Sequence, residues 1–213
     1  MLILAKPMFL TIAVVVVFTL CDQSCAQISS TFDNDLDGWT LSGGSSTNLA
    51  FNPSGGNPGG FLRSFGSSPA TLELAAPLSF LGDLSVYDGG TFSFDSLNSE
   101  SFDSTLPSFG TITITGSTGT ASRDIVEGGL SFPNWETNST SLIASEWGVT
   151  QSTWDSILSD VTRISIDVSA QSDLVDIGID NIAINAVPEP SSSLLLGLTA
   201  LVLGMRRRHR SAC

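Results

Sequence analysis

Between residues 27 and 186 this chain of 213 residues contains no cysteine, no lysine and no histidine. The three cysteines stand at 21, 25 and 213, the one histidine at 209 and the one lysine at 6. Without cysteine the long middle segment has neither a disulfide nor a thiol nucleophile. Without histidine it has no Ser-His-Asp or Cys-His couple, and zinc loses its commonest ligands. Cations are scarce too: only Arg63, Arg123 and Arg163 face 19 acidic residues, a formal net charge of −16 for the segment. With no basic patch to displace counterions, nucleic acid is excluded as a partner. Two readings of the acidity stay open, solubility in salty surroundings and an encounter with divalent cations.

What is present begins with the two ends. Lys6 precedes an apolar stretch over residues 8–20, and Ser24-Cys25-Ala26 puts small residues before Gln27, the pattern of a secretory signal peptide over residues 1–26 that is removed on export. The other end, residues 187–213, reads Val187-Pro188-Glu189-Pro190, an apolar run over 191–205, then Arg206, Arg207, Arg208, His209 and Arg210. Two prolines within three residues keep the backbone extended and open to a processing enzyme. As a helix the apolar run spans only about 22 Å against a hydrocarbon core of about 30 Å, so it inserts but anchors marginally. Snorkelling arginines close part of that gap and hold the cluster on the cytoplasmic side, leaving all that precedes it outside.

Proline triplet, hydrophobe and arginine cluster in this order resemble the PEP-CTERM sorting signal. The resemblance implies an exosortase and the export machinery as partners, passage through the inner membrane, and delivery to the cell envelope or an extracellular matrix. The competing reading is a C-terminal membrane segment that is never processed.

Residues 27–186 are the right length for one domain with its own core. Thr91-Phe92-Ser93-Phe94, Thr111-Ile112-Thr113-Ile114-Thr115 and Ile164-Ser165-Ile166-Asp167-Val168 alternate with period two, the mark of strands with one dry face and one wet face. Residues 60–65, 71–75, 122–127 and 174–184 are further strand candidates. Gly-, Asn- and Pro-rich connections such as 52–60 separate them, which together predicts an all-β, antiparallel β-sandwich. One short helix interrupts it. Ser152-Thr153-Trp154-Asp155 reads as a capping box, and Trp154, Ile157, Leu158 and Val161 make a single apolar stripe able to cover an edge or end of the sandwich.

The order of motifs resembles the laminin B (domain IV) family over about residues 31–185. Phe32-Asp33 with Asp37-Gly38-Trp39 matches the opening strand. Ala76-Pro77, Phe80-Leu81-Gly82-Asp83 and the stretch from Tyr87-Asp88-Gly89-Gly90 through Phe94 match the most distinctive part. Trp147, the helix, the strand at 164–168 and Ile179-Asp180-Asn181-Ile182 match the close. Two departures stand out: Leu72 and Leu74 replace expected aromatics, and Asp88 interrupts an expected Tyr-Gly-Gly. The resemblance implies a jelly-roll-like sandwich with a matrix or adhesive role and no catalysis.

Asp33-Asn34-Asp35-Leu36-Asp37-Gly38 alternates oxygen ligands before a glycine, like the start of a calcium loop, although residue 44 is Gly44 where an EF-hand needs an acid. In the last strand Ile177 and Ile179 share one phase while Ile182 and Ile184 share the other, so a β-bulge is expected at Asp180-Asn181. In jelly-roll modules, the architecture the resemblance implies, a structural calcium often bridges the first and last strands, so Asp180 with Asp33, Asp35 or Asp37 is the candidate structural Ca²⁺ site, and plain surface turns are the competing reading. Trp39, Trp135 and Trp147 are aromatic candidates for stacking on sugar rings. Trp39 reads as core, and Trp135, between Pro133-Asn134 and Glu136-Thr137, reads as the possible glycan contact. No catalytic residue is assigned. The expectation is a structural, adhesive or glycan-binding protein that meets extracellular polysaccharide, and its rival is a secreted polysaccharide-active enzyme using paired carboxylates.

Overall fold

The computed structural model describes residues 26–43, 48–65, 72–98, 109–126, 134–169 and 176–187. Residues 1–25, nearly all of the expected signal peptide, and the sorting residues Pro188, Glu189, Pro190, Arg206, Arg207 and Arg208 lie outside them. The elements are β1 (Gln27–Ser30), β2 (Thr40–Ser42), β3 (Asn48–Gly56), β4 (Gly59–Phe65), β5 (Glu73–Ala75), β6 (Thr91–Asn98), β7 (Thr111–Gly116), β8 (Gly119–Asp124), β9 (Glu136–Ser141), α1 (Gln151–Leu158), β10 (Val161–Asp167) and β11 (Asp176–Asn185). One sheet runs β3-β4-β11-β6-β9 with β1 also paired to β11, and the other runs β2-β5-β10-β7-β8. All pairings are antiparallel.

The period-two pattern builds the core. Phe92 and Phe94 from one sheet and Ile112, Ile114, Ile164 and Ile166 from the other are buried in a single hydrophobic cluster. Burying side chains of this size contributes about 1.5–3 kcal/mol each, so the interlayer cluster is the main source of stability in a domain without disulfides. Leu72 and Leu74, standing where aromatics were expected, are also inside it.

β1 and β4 lie end to end along one edge of β11. β4 pairs with residues 176–179 of β11 and β1 with residues 182–185. The ladder between β11 and β6 shifts register between Asp180 and Ala183, and Asn181 takes a left-handed φ of 50°. The expected phase slip is thus real: Ile177, Ile179, Ile182 and Ile184 all reach the core because the bulge resets the alternation where one partner strand ends and the next begins.

Several boundaries differ from the sequence expectation. The helix starts earlier: Thr150 is the N-cap, accepting from the Thr153 amide at 3.3 Å, and Ser152 is already helical. Asp155 does not reach back to the Ser152 amide and instead accepts from Gln151 Nε2 at 2.8 Å. Val161 is buried but opens β10, so the helical stripe is Trp154, Ile157 and Leu158. The strand expected at 122–127 lies at Gly119–Asp124. Residues 52–56, expected as a connection, extend edge strand β3, whose ladder is irregular between Asn52 and Gly56, the kind of place where Pro53 is tolerated.

One end of the sandwich is capped by α1 and by the single 3-10 turns Leu78–Phe80 and Ser85–Tyr87. Trp154 stacks on Trp147 with ring centroids 5.2 Å apart, and its Nε1 donates to Asp88 Oδ1 at 2.9 Å. Asp88, the residue that interrupts the Tyr-Gly-Gly, therefore fixes the helix through Trp154 and through Gln151 Nε2 at 3.1 Å. Trp147 is buried, with Nε1 donating to the Ser141 carbonyl at 2.9 Å, and is not a loop platform for a sugar.

Candidate functional site

Alternation after Ile177 and Ile179 puts the Asp180 side chain on the outer face of the six-stranded sheet, just before the bulge, yet the side chain is wholly buried. The tip of the β3–β4 hairpin covers it. Asp180 Oδ2 accepts from the Asn57 amide at 2.6 Å and Oδ1 from the Asn181 amide at 2.7 Å. Beside it on β6, Asp95 is only 5% exposed. Its Oδ1 accepts from Thr137 Oγ1 at 2.6 Å, and its Oδ2 from Asn57 Nδ2 at 3.0 Å and Asn181 Nδ2 at 2.8 Å. Asn181 Nδ2 also donates to the Asn57 carbonyl. The hairpin tip closes this tightly only because it is glycine. A Cβ on Gly56 would stand 2.7 Å from Asp180 Oδ2, and one on Gly59, at φ +93°, would stand 2.4 Å from Asp33 Oδ1.

Burial pushes the Asp180 carboxyl above the usual carboxylate range; the amides of Asn57 and Asn181 oppose the shift, and the charges of Asp95 and Asp33 add to it. Of the four acids expected to bind a cation, only Asp33 is brought to Asp180. Asp35 Oδ1 accepts from the Asp37 amide at 2.7 Å and Asp37 Oδ2 from the Phe32 amide at 3.2 Å, so both turn back into their own loop. Among the described residues no three ligating side chains converge closely enough to hold a metal. All four oxygens of Asp95 and Asp180 already accept from protein donors. Asp95 escaped the sequence reading because it sits in the outward phase of β6 and reads as solvated; only the folded hairpin covers it.

Farther along the same face lies Trp135, half-buried just before β9. Its Nε1 donates to the Gly55 carbonyl at 3.0 Å, which ties it to the same hairpin. Its ring meets Phe61 of β4 edge to face, centroids 5.5 Å apart. The indole lies over Gly178 of β11, where a Cβ would stand 2.7 Å from Trp135 Cη2. Arg63 is across from Gly178 in register. A glycine in mid-strand thus seats a tryptophan on the outer face of the sheet, in a fixed orientation and with part of its surface in solvent. Trp39, by contrast, is core as expected, packed edge-on to Phe80 at 5.1 Å.

Among the described residues no helix is long and apolar enough to cross a membrane. The PEP-CTERM protein-sorting motif matches residues 186–208, so it begins at Ala186, the residue directly after β11. The chain is accordingly exported and sorted through the membrane to the cell envelope or extracellular space. No curated protein matches the chain in sequence. Among solved structures, an exo-β-agarase is 17% identical with a TM-score of 0.51, over 75% of this chain and 25% of that one. A family 11 carbohydrate-binding module of a cellulosomal cellulase from Clostridium thermocellum is 13% identical with a TM-score of 0.49, over 78% and 98%. The L4b domain of human laminin α-2 is 14% identical with a TM-score of 0.47, over 55% and 70%.

Proposed function

We propose that the exported sandwich is a non-catalytic glycan-binding or adhesive module. In this reading an exosortase recognises Pro188-Glu189-Pro190, with residues 191–205 in the inner membrane and Arg206, Arg207 and Arg208 on its cytoplasmic side. The domain then binds extracellular polysaccharide on the outer face of the six-stranded sheet. The observation that carries the glycan reading is Trp135, whose indole is oriented by its bond to Gly55 and by Phe61 and is laid on a glycine of the sheet. An indole held this way presents an apolar face suited to the C–H face of a sugar ring. The segment's charge of −16 selects against acidic chains and leaves neutral polysaccharide as the ligand class. Against the enzyme reading stand the two carboxylates that the fold pairs. Asp95 and Asp180 are buried under the hairpin with every oxygen engaged, which leaves neither free to take a proton from a substrate or give one.

Affinity electrophoresis through gels containing neutral polysaccharides tests this. The protein should be retarded by at least one of them. Trp135→Ala should weaken binding roughly thirtyfold, the effect of removing an aromatic contact worth about 2 kcal/mol. Gly178→Ala, which forces the indole off its seat, should weaken it in the same direction. Equal retardation of Trp135→Ala and wild type would remove Trp135 from the site. Retardation only by acidic polysaccharides would overturn the ligand class.

A further inference from the structure

We propose that the end of the sandwich from which the two chain ends leave is a lipid-facing surface, seated on the membrane while residues 191–205 are inserted. The inference rests on the reading of residues 191–205 as a membrane segment. Gln27 pairs with Asn185, and the Ala186 amide donates to the Ala26 carbonyl at 2.9 Å. The last residue of the leader and the first of the sorting motif are therefore hydrogen-bonded neighbours. The chain that leads on to residues 191–205 thus leaves the described fold at this corner, beside its N-terminal strand.

The side chains at that corner are of the wrong kind for water. Four large hydrophobic residues stand exposed among the described residues, and three are here: Val86 at 61%, Ile143 at 43% and Val187 at 50%. Val187 lies against Gly89, the Gly89 amide donates to the Leu142 carbonyl at 2.8 Å, and the Leu142 amide donates to the Gly90 carbonyl at 2.9 Å. These contacts bring the three segments carrying Val86, Ile143 and Val187 together.

Length decides what covers them. Val187 and Leu194, the first apolar residue after Ser191, Ser192 and Ser193, are seven Cα steps apart, at most about 25 Å even fully extended. The headgroup layer on each side of the hydrocarbon core is itself about 5–8 Å thick. With Leu194 at the hydrocarbon boundary and the headgroups taking up part of that span, Val187 stays within about 20 Å of the headgroup surface, so lipid is the surface within reach of this corner. Asp88 and Asp155, which share Gln151 as donor, stand at the same end, so the matching surface is zwitterionic and not anionic lipid.

The test uses the exported chain from Gln27 to Cys213 with Cys213 changed to serine and one new cysteine, Val86→Cys, Ile143→Cys or Asn134→Cys. Each new cysteine carries a polarity-sensitive fluorophore, and the protein is reconstituted into phosphatidylcholine vesicles with a nitroxide on the headgroup. Emission from positions 86 and 143 should shift to shorter wavelength and be quenched, while position 134, beside Trp135, should behave as in detergent-free buffer. Co-flotation with equal quenching at all three positions overturns the docking surface and leaves the membrane segment standing. Failure to co-float overturns the membrane segment and the docking with it.

Discussion

Asp180→Ala removes a side chain that, with Asn181, joins the β3–β4 hairpin tip to the last strand, and its cost follows from the bonds it makes. Two short hydrogen bonds vanish, leaving the Asn57 and Asn181 amides without acceptors. Each orphaned donor costs about 1–3 kcal/mol, and relief of the repulsion from Asp95 and Asp33 offsets part of it. A net loss of about 2–3 kcal/mol should lower the thermal midpoint of a domain of this size by about 5–10 °C. Because Trp135 Nε1 hangs on Gly55 in the same hairpin, its fluorescence should become more accessible to acrylamide under native conditions. A midpoint within about 2 °C of wild type, with unchanged quenching, would refute the latch.

Asp180→Asn isolates the charge. The folded state raises the affinity of the Asp180 carboxyl for its proton, so this group stabilises the fold most at acid pH. That contribution is lost as pH rises from the ordinary carboxylate value of 3.8 through the raised one. The asparagine variant has no such dependence. In urea titrations the stability gap between wild type and Asp180→Asn should therefore be widest at the acid end of this window and narrow toward neutrality. A gap that grows with pH would mean that the carboxylate, not the acid, is the favoured form.

Two further outcomes follow. Thr150→Ala should cost about 1 kcal/mol by removing the cap on the Thr153 amide while Ser152→Ala costs much less, a contrast that thermal melts read directly. Melts in excess EDTA and in millimolar calcium should superimpose, since the oxygens of Asp95 and Asp180 are already engaged; a calcium-dependent rise abolished by Asp180→Ala would restore the ion to this junction.

The strands legible in the sequence were those with a dry face. β6, β7 and β10 each carry alternating Phe or Ile, and the bulge in β11 shows as two isoleucine pairs in opposite phase. β9 reads Glu136–Ser141 without one apolar residue, and β2 and β3 are edges, so hydrophobic periodicity had little to report. The helix was placed by its apolar stripe, but its cap was misassigned because Thr150 and Ser152 are equally plausible oxygens two residues apart. At the junction, Asp180 was visible through the broken alternation. Asp95 and Asn57 were not, because their partnership depends on a hairpin folding over the sheet, with Asn57 38 residues from Asp95 and 123 from Asp180 in sequence. Trp135 could be named from its polar neighbours; its seat on Gly178 could not.

The two proposed surfaces constrain each other. Trp135 precedes the first residue of β9, whose last residue, Ser141, pairs with Thr91 and so lies at the end reached by Asn185. Six strand residues at about 3.3 Å place the indole some 20 Å from the membrane-facing end. A glycan held at Trp135 and an anchor beyond Val187 would then pull along the strand direction, through β9, β6 and β11. Antiparallel ladder bonds lie across that direction, so such a load is shared among many of them at once instead of opening them one by one. Asp180 stands midway on this path and ties the hairpin that orients Trp135 to the strand that leads to the membrane. Loosening it should weaken both the fold and the hold on the glycan, whereas changes at Val86 or Ile143 should leave glycan binding untouched.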